Sequence, residues 1–198
     1  KPHALRVQAG DRAIPELTAT VFYRGLERGY GLGVVQSLDG QGQILPSVQV
    51  TESKLGGESR VLESDDRFGW LTVGSGEGTY LWKFEKTGYL PVWRVANLEA
   101  ENVVSLENPK LLRQSQETFR LSPLNGASHV TSDGRISVSF PRGAFSDLGE
   151  GRLTPMSSQT LPAPLPLGWS PRQAAWVELG LASSEFGELS LEPWEALS

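Results

Sequence analysis

The sequence predicts an all-β chain built as two consecutive antiparallel β-sandwich modules, and three observations lead there. Apolar and polar residues alternate at period two in short runs. Those runs are broken by glycine, proline, asparagine or aspartate, and 22 Gly and 13 Pro in 198 residues are enough to close many hairpins. Almost nothing repeats at helical spacing over ten residues or more, so no amphipathic helix is predicted.

Residues 1–33 supply leading strands that either join the first sandwich or precede it. The clearest is 17–23, with Leu17, Val21 and Tyr23 on one face and Thr18, Thr20 and Phe22 on the other. The first module is predicted over 34–112. Its strands fall at 34–36, 48–51, 60–63 and 68–73, with turns at Asp39-Gly40, Gly56-Gly57 and Asp65-Asp66. The strongest strand is 79–86, where Tyr80, Trp82 and Phe84 share one face and Leu81, Lys83 and Glu85 the other. Each aromatic can bury about 150 to 250 Å², which predicts a central strand with one dry face. A strand at 89–95 tolerates Pro91 only at a sheet edge or at its beginning, and another follows at 102–106.

The alternation fades between Glu107 and Pro123, and 113–123 is predicted to be the linker between modules. The second module, predicted over 124–198 and incomplete if the chain continues, has its best strand at 135–140, with Ile136, Val138 and Phe140 inward. Prolines at 155, 162, 164, 166 and 171 predict an extended or polyproline-like stretch over 154–171. A last strand is expected at 174–179, and 182–198 is acidic and weakly patterned.

Composition excludes several functions. The net charge of −5 and the scattered Lys and Arg residues leave no basic stripe, so nucleic acid is not an expected partner. Without cysteine there are no disulfides, thiol chemistry or thiolate metal sites, and two histidines cannot build a His-rich one. No cofactor and no metal are expected. No window approaches the roughly 18 apolar residues of a membrane helix. The opening Lys1-Pro2-His3-Ala4 does not read as a secretory signal, and the missing initiator Met predicts a processed chain or a fragment.

The motifs that could carry chemistry read as structure. Gly74 to Gly78 has a Gly-x-Gly-x-Gly look, but an aromatic strand follows where phosphate binding needs a helix N-terminus. Asp65-Asp66 lacks the alternating carboxylates of a calcium loop and reads as a polar turn. The acids sit in turns and on outward faces, so no opposed pair for glycoside hydrolysis emerges. His129-Val130-Thr131 matches a self-cleaving His-x-Thr site only superficially, because it precedes a strand rather than ending a strained one. Among the six tryptophans, Trp82, Trp70 and Trp93 are expected in the core, and Trp169, Trp176 and Trp194 are the candidates for exposure. Leu161, Leu165, Leu167 and Trp169, interleaved with prolines, are the candidate interface residues.

Two resemblances sharpen this. Ile44 to Val50, Ser64-Asp65-Asp66-Arg67-Phe68-Gly69, Tyr80 to Phe84 and above all Lys86-Thr87-Gly88-Tyr89-Leu90-Pro91 resemble the carboxypeptidase regulatory-like, or transthyretin-related, β-sandwich. Ser132 to Phe145 resembles part of the β-sandwich of ankyrins and netrin receptors. The string Leu161 to Pro171 is similar to a segment found upstream of the repeats in giant bacterial Rhs or YD-repeat proteins, an arrangement teneurins share. The resemblance implies a non-catalytic structural module of a large secreted or surface-exposed bacterial protein. There the second sandwich would plug or support a YD-repeat shell, and the partners would be other domains of the same polypeptide or another protein. The competing reading is a carbohydrate-binding or adhesion module accessory to an extracellular enzyme.

Overall fold

The computed structural model describes residues 3–6, 18–21, 31–73, 76–166, 168, 171 and 173–180. Every regular element among them is a strand. β1 (His3–Arg6) and β2 (Thr18–Val21) pair antiparallel in a sheet of their own. The chain then runs through β3 (Leu32–Gln36), β4 (Leu38–Asp39), β5 (Gln49–Lys54), β6 (Ser59–Glu63), β7 (Trp70–Val73), β8 (Gly78–Glu85), β9 (Val92–Leu98), β10 (Val103–Ser105) and β11 (Lys110–Leu111).

These strands close on a first core. A four-stranded antiparallel sheet, β6-β5-β8-β9, contributes Val50, Tyr80, Trp82, Phe84, Val92 and Leu98. A three-stranded sheet, β10-β3-β7, contributes Val35 and Val73, with Leu106 just beyond its end. β8 is central as its aromatic face predicts: Tyr80, Trp82 and Phe84 are buried while Leu81 faces solvent. β9 is an edge strand and Pro91 lies immediately before it, where a missing N–H breaks no ladder. Trp70 and Trp93, expected in the core, are only half-buried. Trp93 pairs with Lys83, in the outward phase of the sheet, while Trp82 occupies the inward one.

Pairing is not wholly antiparallel. β10 runs parallel to β3, and β11 runs parallel to β4. Each pair joins segments separated by most of the first core, which supplies the long crossover that parallel neighbours need.

The second core is built by β12 (Thr118–Leu121), β13 (Ala127–Val130), β14 (Ser137–Phe140), β15 (Gly149–Met156) and β16 (Ala174–Leu179). They form an antiparallel sheet, β12-β15-β16, and a β13-β14 hairpin around Phe119, Leu121, Val138, Phe140, Phe145 and Leu153. The predicted linker over 113–123 is therefore corrected. Thr118, Phe119, Arg120 and Leu121 alternate exposed and buried in β12, a run too short to stand out among polar neighbours. The residues just before it are tied to both cores: the Gln114 N–H donates to Gly88 O at 2.9 Å, and the Ser115 N–H to Thr154 Oγ1 at 3.0 Å.

Of the two conformations expected over 154–171, the start takes the extended one, where β15 continues to Met156. Pro155 is accommodated because β12 pairs only with residues 149–152 of β15, leaving that flank open beside the proline. Gly151 sits opposite Phe119, and a Cβ there would strike the Phe119 ring, 2.6 Å from Cε2. Gly151→Ala is expected to destabilise the chain by about 1 to 3 kcal/mol in urea unfolding. Most of that loss should vanish in a Phe119→Leu background, since the two changes share one contact.

Two aspartates fix turns. Asp65 Oδ1 accepts the N–H groups of Arg67 and Phe68 at 2.9 and 2.6 Å. Asp133 Oδ1 accepts the Thr131 hydroxyl at 2.6 Å and the Arg135 N–H at 3.1 Å. The Phe68 and Arg67 amides hold the Asp65 carboxyl below its usual value, and the Thr131 hydroxyl does the same for Asp133. A depressed folded-state value means stability that is present above the ordinary carboxylate range and lost as pH falls through it. Unfolding midpoints measured from about pH 5 to pH 2 should fall more shallowly for Asp65→Asn with Asp133→Asn than for the parent chain.

Candidate functional site

The feature that gathers most of the unusual chemistry begins inside the four-stranded sheet. Register places Arg60, Glu52, Trp82 and Arg94 in one transverse row across β6, β5, β8 and β9. Alternation turns this row toward the core, so a carboxylate and a guanidinium occupy positions where the pattern calls for apolar groups. Glu52 is 3% exposed. Its Oε2 accepts the Trp82 indole N–H at 2.8 Å, and its Oε1 accepts Arg60 Nε at 2.6 Å. A buried carboxylate is tolerable when its oxygens are matched to donors in this way.

Arg94 closes the row at the edge strand. Its side chain is 8% exposed, while its acidic partner Glu107, 3.6 Å away, is 71% exposed. Nη1 donates to its neighbour Trp93 O at 2.9 Å, and Nε donates to Glu107 O at 3.3 Å. Burial pulls the guanidinium below its usual value, with Glu107 partly offsetting that. The group remains charged, because an arginine's starting value is so high.

Arg94 and Glu107 form one wall of a cleft of about 300 Å³. Ser158, Gln159, Leu161, Pro164, Leu165 and Pro166 form the other. A turn sets the root of that wall: the Thr160 N–H donates to Ser157 O, and the Ser157 N–H to Thr160 Oγ1. Lys110 Nζ in β11 holds Gln159 Oε1 at 3.0 Å. Pro162 O then accepts the Trp93 N–H at 2.6 Å, so the strip caps the outer edge of β9. Beside this seam Trp93 stacks on Trp176 of β16, with ring centroids 6.4 Å apart, and Lys83 Nζ lies 5.9 Å from the Trp93 ring centre.

Of the candidate interface residues, Leu161 is half-buried against the cleft and Leu165 is 42% exposed at its rim. Leu167 and Trp169 lie outside the described residues, as does Trp194. Trp176, a candidate for exposure, is half-buried on Trp93. Sequence reasoning missed Arg94 and Glu52. The signal was a charged residue in the apolar phase of an alternating strand: Val92, Arg94, Ala96 and Leu98 in β9, and Val50 and Glu52 in β5.

The other constellations are held in structural contacts. The Thr131 hydroxyl is bonded to Asp133, and His129 stacks on Phe119 with centroids 5.1 Å apart, its Nε2 3.8 Å from Glu117. A larger cleft of about 850 Å³ lies at the end of the sheet by Gln49, Glu63, Glu85 and Tyr89. Two of its charges are already engaged: Glu85 holds Lys83 at 2.6 Å, and Lys86 Nζ donates to Pro46 O and Ser47 O. Among the described residues no group of three or more His, Asp or Glu could hold a metal ion, and no helix is long and apolar enough to cross a membrane.

The chain matches no protein-family model and no curated protein. Among solved structures it is similar to the Bacillus anthracis TIE protein, at 11% identity and a TM-score of 0.39. The match covers 94% of this chain and 39% of that one, so the chain spans about two fifths of that structure's length.

Proposed function

We propose that this chain is a non-catalytic interaction module of a larger secreted or surface-exposed bacterial protein. In this reading the first core is a transthyretin-related sandwich that serves as a support, and the second is a plug-like sandwich that docks against another domain, with a YD-repeat shell as the favoured partner. The observation that carries it is the strip 161–166. Ala163, Pro164, Leu165 and Pro166 are all exposed, yet the strip is anchored at its root by the Pro162 carbonyl on β9. An apolar, proline-stiffened segment held in place has little conformational freedom left to lose on binding, which favours docking over free solvation.

Among the described residues, tryptophan placement supports an interface over a sugar platform. Trp82 is buried, and Trp93 is covered by Trp176 and approached by Lys83. The test is a photo-crosslinking amino acid at position 165 in the full parent polypeptide. Crosslinks to other domains of that polypeptide, or to another protein, are expected. Crosslinks confined to this chain, or none, would sink the reading.

A further inference from the structure

Resting on that docking surface, we propose that the cleft beside the strip receives an acidic side chain of the partner, an Asp or Glu flanked by apolar residues, with Arg94 as its anchor. The argument is one of unequal compensation. A guanidinium whose side chain is only 8% exposed faces a carboxylate that is 71% exposed and 3.6 Å away, beyond hydrogen-bond distance. Its remaining partners are backbone carbonyls of Trp93 and Glu107, which carry no net charge. The charge is thus desolvated and only half answered, at the wall of a cleft large enough to admit a side chain. Elsewhere in the same row the answer is complete, because Glu52 and Arg60 meet at 2.6 Å.

The rest of the lining carries no charge: Ser158 and Gln159 are polar and could also donate to an entering carboxylate, and the flanks are left to Leu161, Pro164, Leu165 and Pro166. Their apolar surface also lowers the local dielectric, strengthening a charge-assisted bond to Arg94. A basic segment could pair with the exposed Glu107 but would leave the buried Arg94 charge facing a like charge. A purely apolar one would leave the guanidinium more deeply desolvated than before.

Two peptides separate these cases: acetyl-leucyl-glutamyl-leucinamide and its glutaminyl counterpart, titrated while the methyl resonances of Leu161 and Leu165 are followed. The glutamyl peptide should bind roughly tenfold more tightly, as a hydrogen bond to a charged acceptor requires. The preference should shrink as salt is raised. Glu107→Gln removes the competing carboxylate from an exposed position and should tighten the glutamyl peptide about threefold. Arg94→Gln should abolish the preference, and if that variant does not fold, Glu107→Gln decides alone. Equal affinity for the two peptides, or no tightening in Glu107→Gln, overturns the acidic-anchor inference. Neither result touches the docking surface itself, which the crosslinks from position 165 judge separately. Silence of both peptides at the two leucines also overturns the inference.

Discussion

Replacing Gly126 by alanine is expected to remove about 3 kcal/mol or more of stability, the largest effect of any single glycine change in the second core. Gly126 closes a tight turn in which the Ser122 N–H donates to Gly126 O at 3.1 Å and the Gly126 N–H returns to Ser122 O at 2.8 Å. Its φ of 69° is in the left-handed region, and a Cβ would also strike Phe140 O and lie 2.7 Å from the Pro141 carbonyl carbon. Both obstacles are backbone, so no rotamer change relieves them. Gly134 has the same φ with nothing within 4 Å of its Cβ position. Gly134→Ala should therefore cost only the backbone term of about 1 to 2 kcal/mol. The difference between the two variants in urea unfolding isolates the collision. Equal losses would show that the Phe140 and Pro141 backbone yields.

The second large effect is expected at Glu52. Glu52→Ala leaves the Trp82 indole N–H buried in a core position without its acceptor and strips Arg60 of its carboxylate, a loss of about 3 to 4 kcal/mol. Glu52→Gln should be intermediate, since its amide keeps one acceptor oxygen but turns an NH₂ donor toward another donor. Arg60→Gln, from the half-exposed end of the pair, should cost about 1 kcal/mol. Denaturation curves give the order, and the Trp82 indole N–H resonance reports whether the bond is lost. An alanine variant as stable as the parent would mean that water reaches the indole and that this end of the core is not dry.

How much of the fold is legible in the sequence depends on whether a residue's role is set by its own strand or by a distant one. β8 can be read because Tyr80, Trp82 and Phe84 announce a buried face without help from any neighbour. β15 cannot. Gly149, Gly151 and Pro155 spell a loop in isolation, and only the Phe119 ring over Gly151 and the open flank beside Pro155 make a strand of them. The strand at 102–106 is read and appears as β10, but its parallel pairing is hidden, as is β11 with its own, since both registers are fixed by β3 and β4 some seventy residues earlier.

The site divides in the same way. Leu161 and Leu165 stand out among prolines in the sequence, and the structure puts both at the cleft. Arg94 and Glu107 are far from them along the chain, and nothing local says that Arg94 will share a cavity with residues 161–166. Its inward phase in β9 is visible, but a charged residue in that phase becomes informative only once the strand is known to pack.

The bond from Trp93 to Pro162 has a further consequence. An uncapped edge strand is a template for any extended polypeptide that drifts past, and β9 has no strand beyond it among the described residues. While the strip stays seated, that template is masked. Conditions that lift it should bring self-association through β9 before the cores melt, so turbidity or dimer formation would be the earliest sign that this chain is failing.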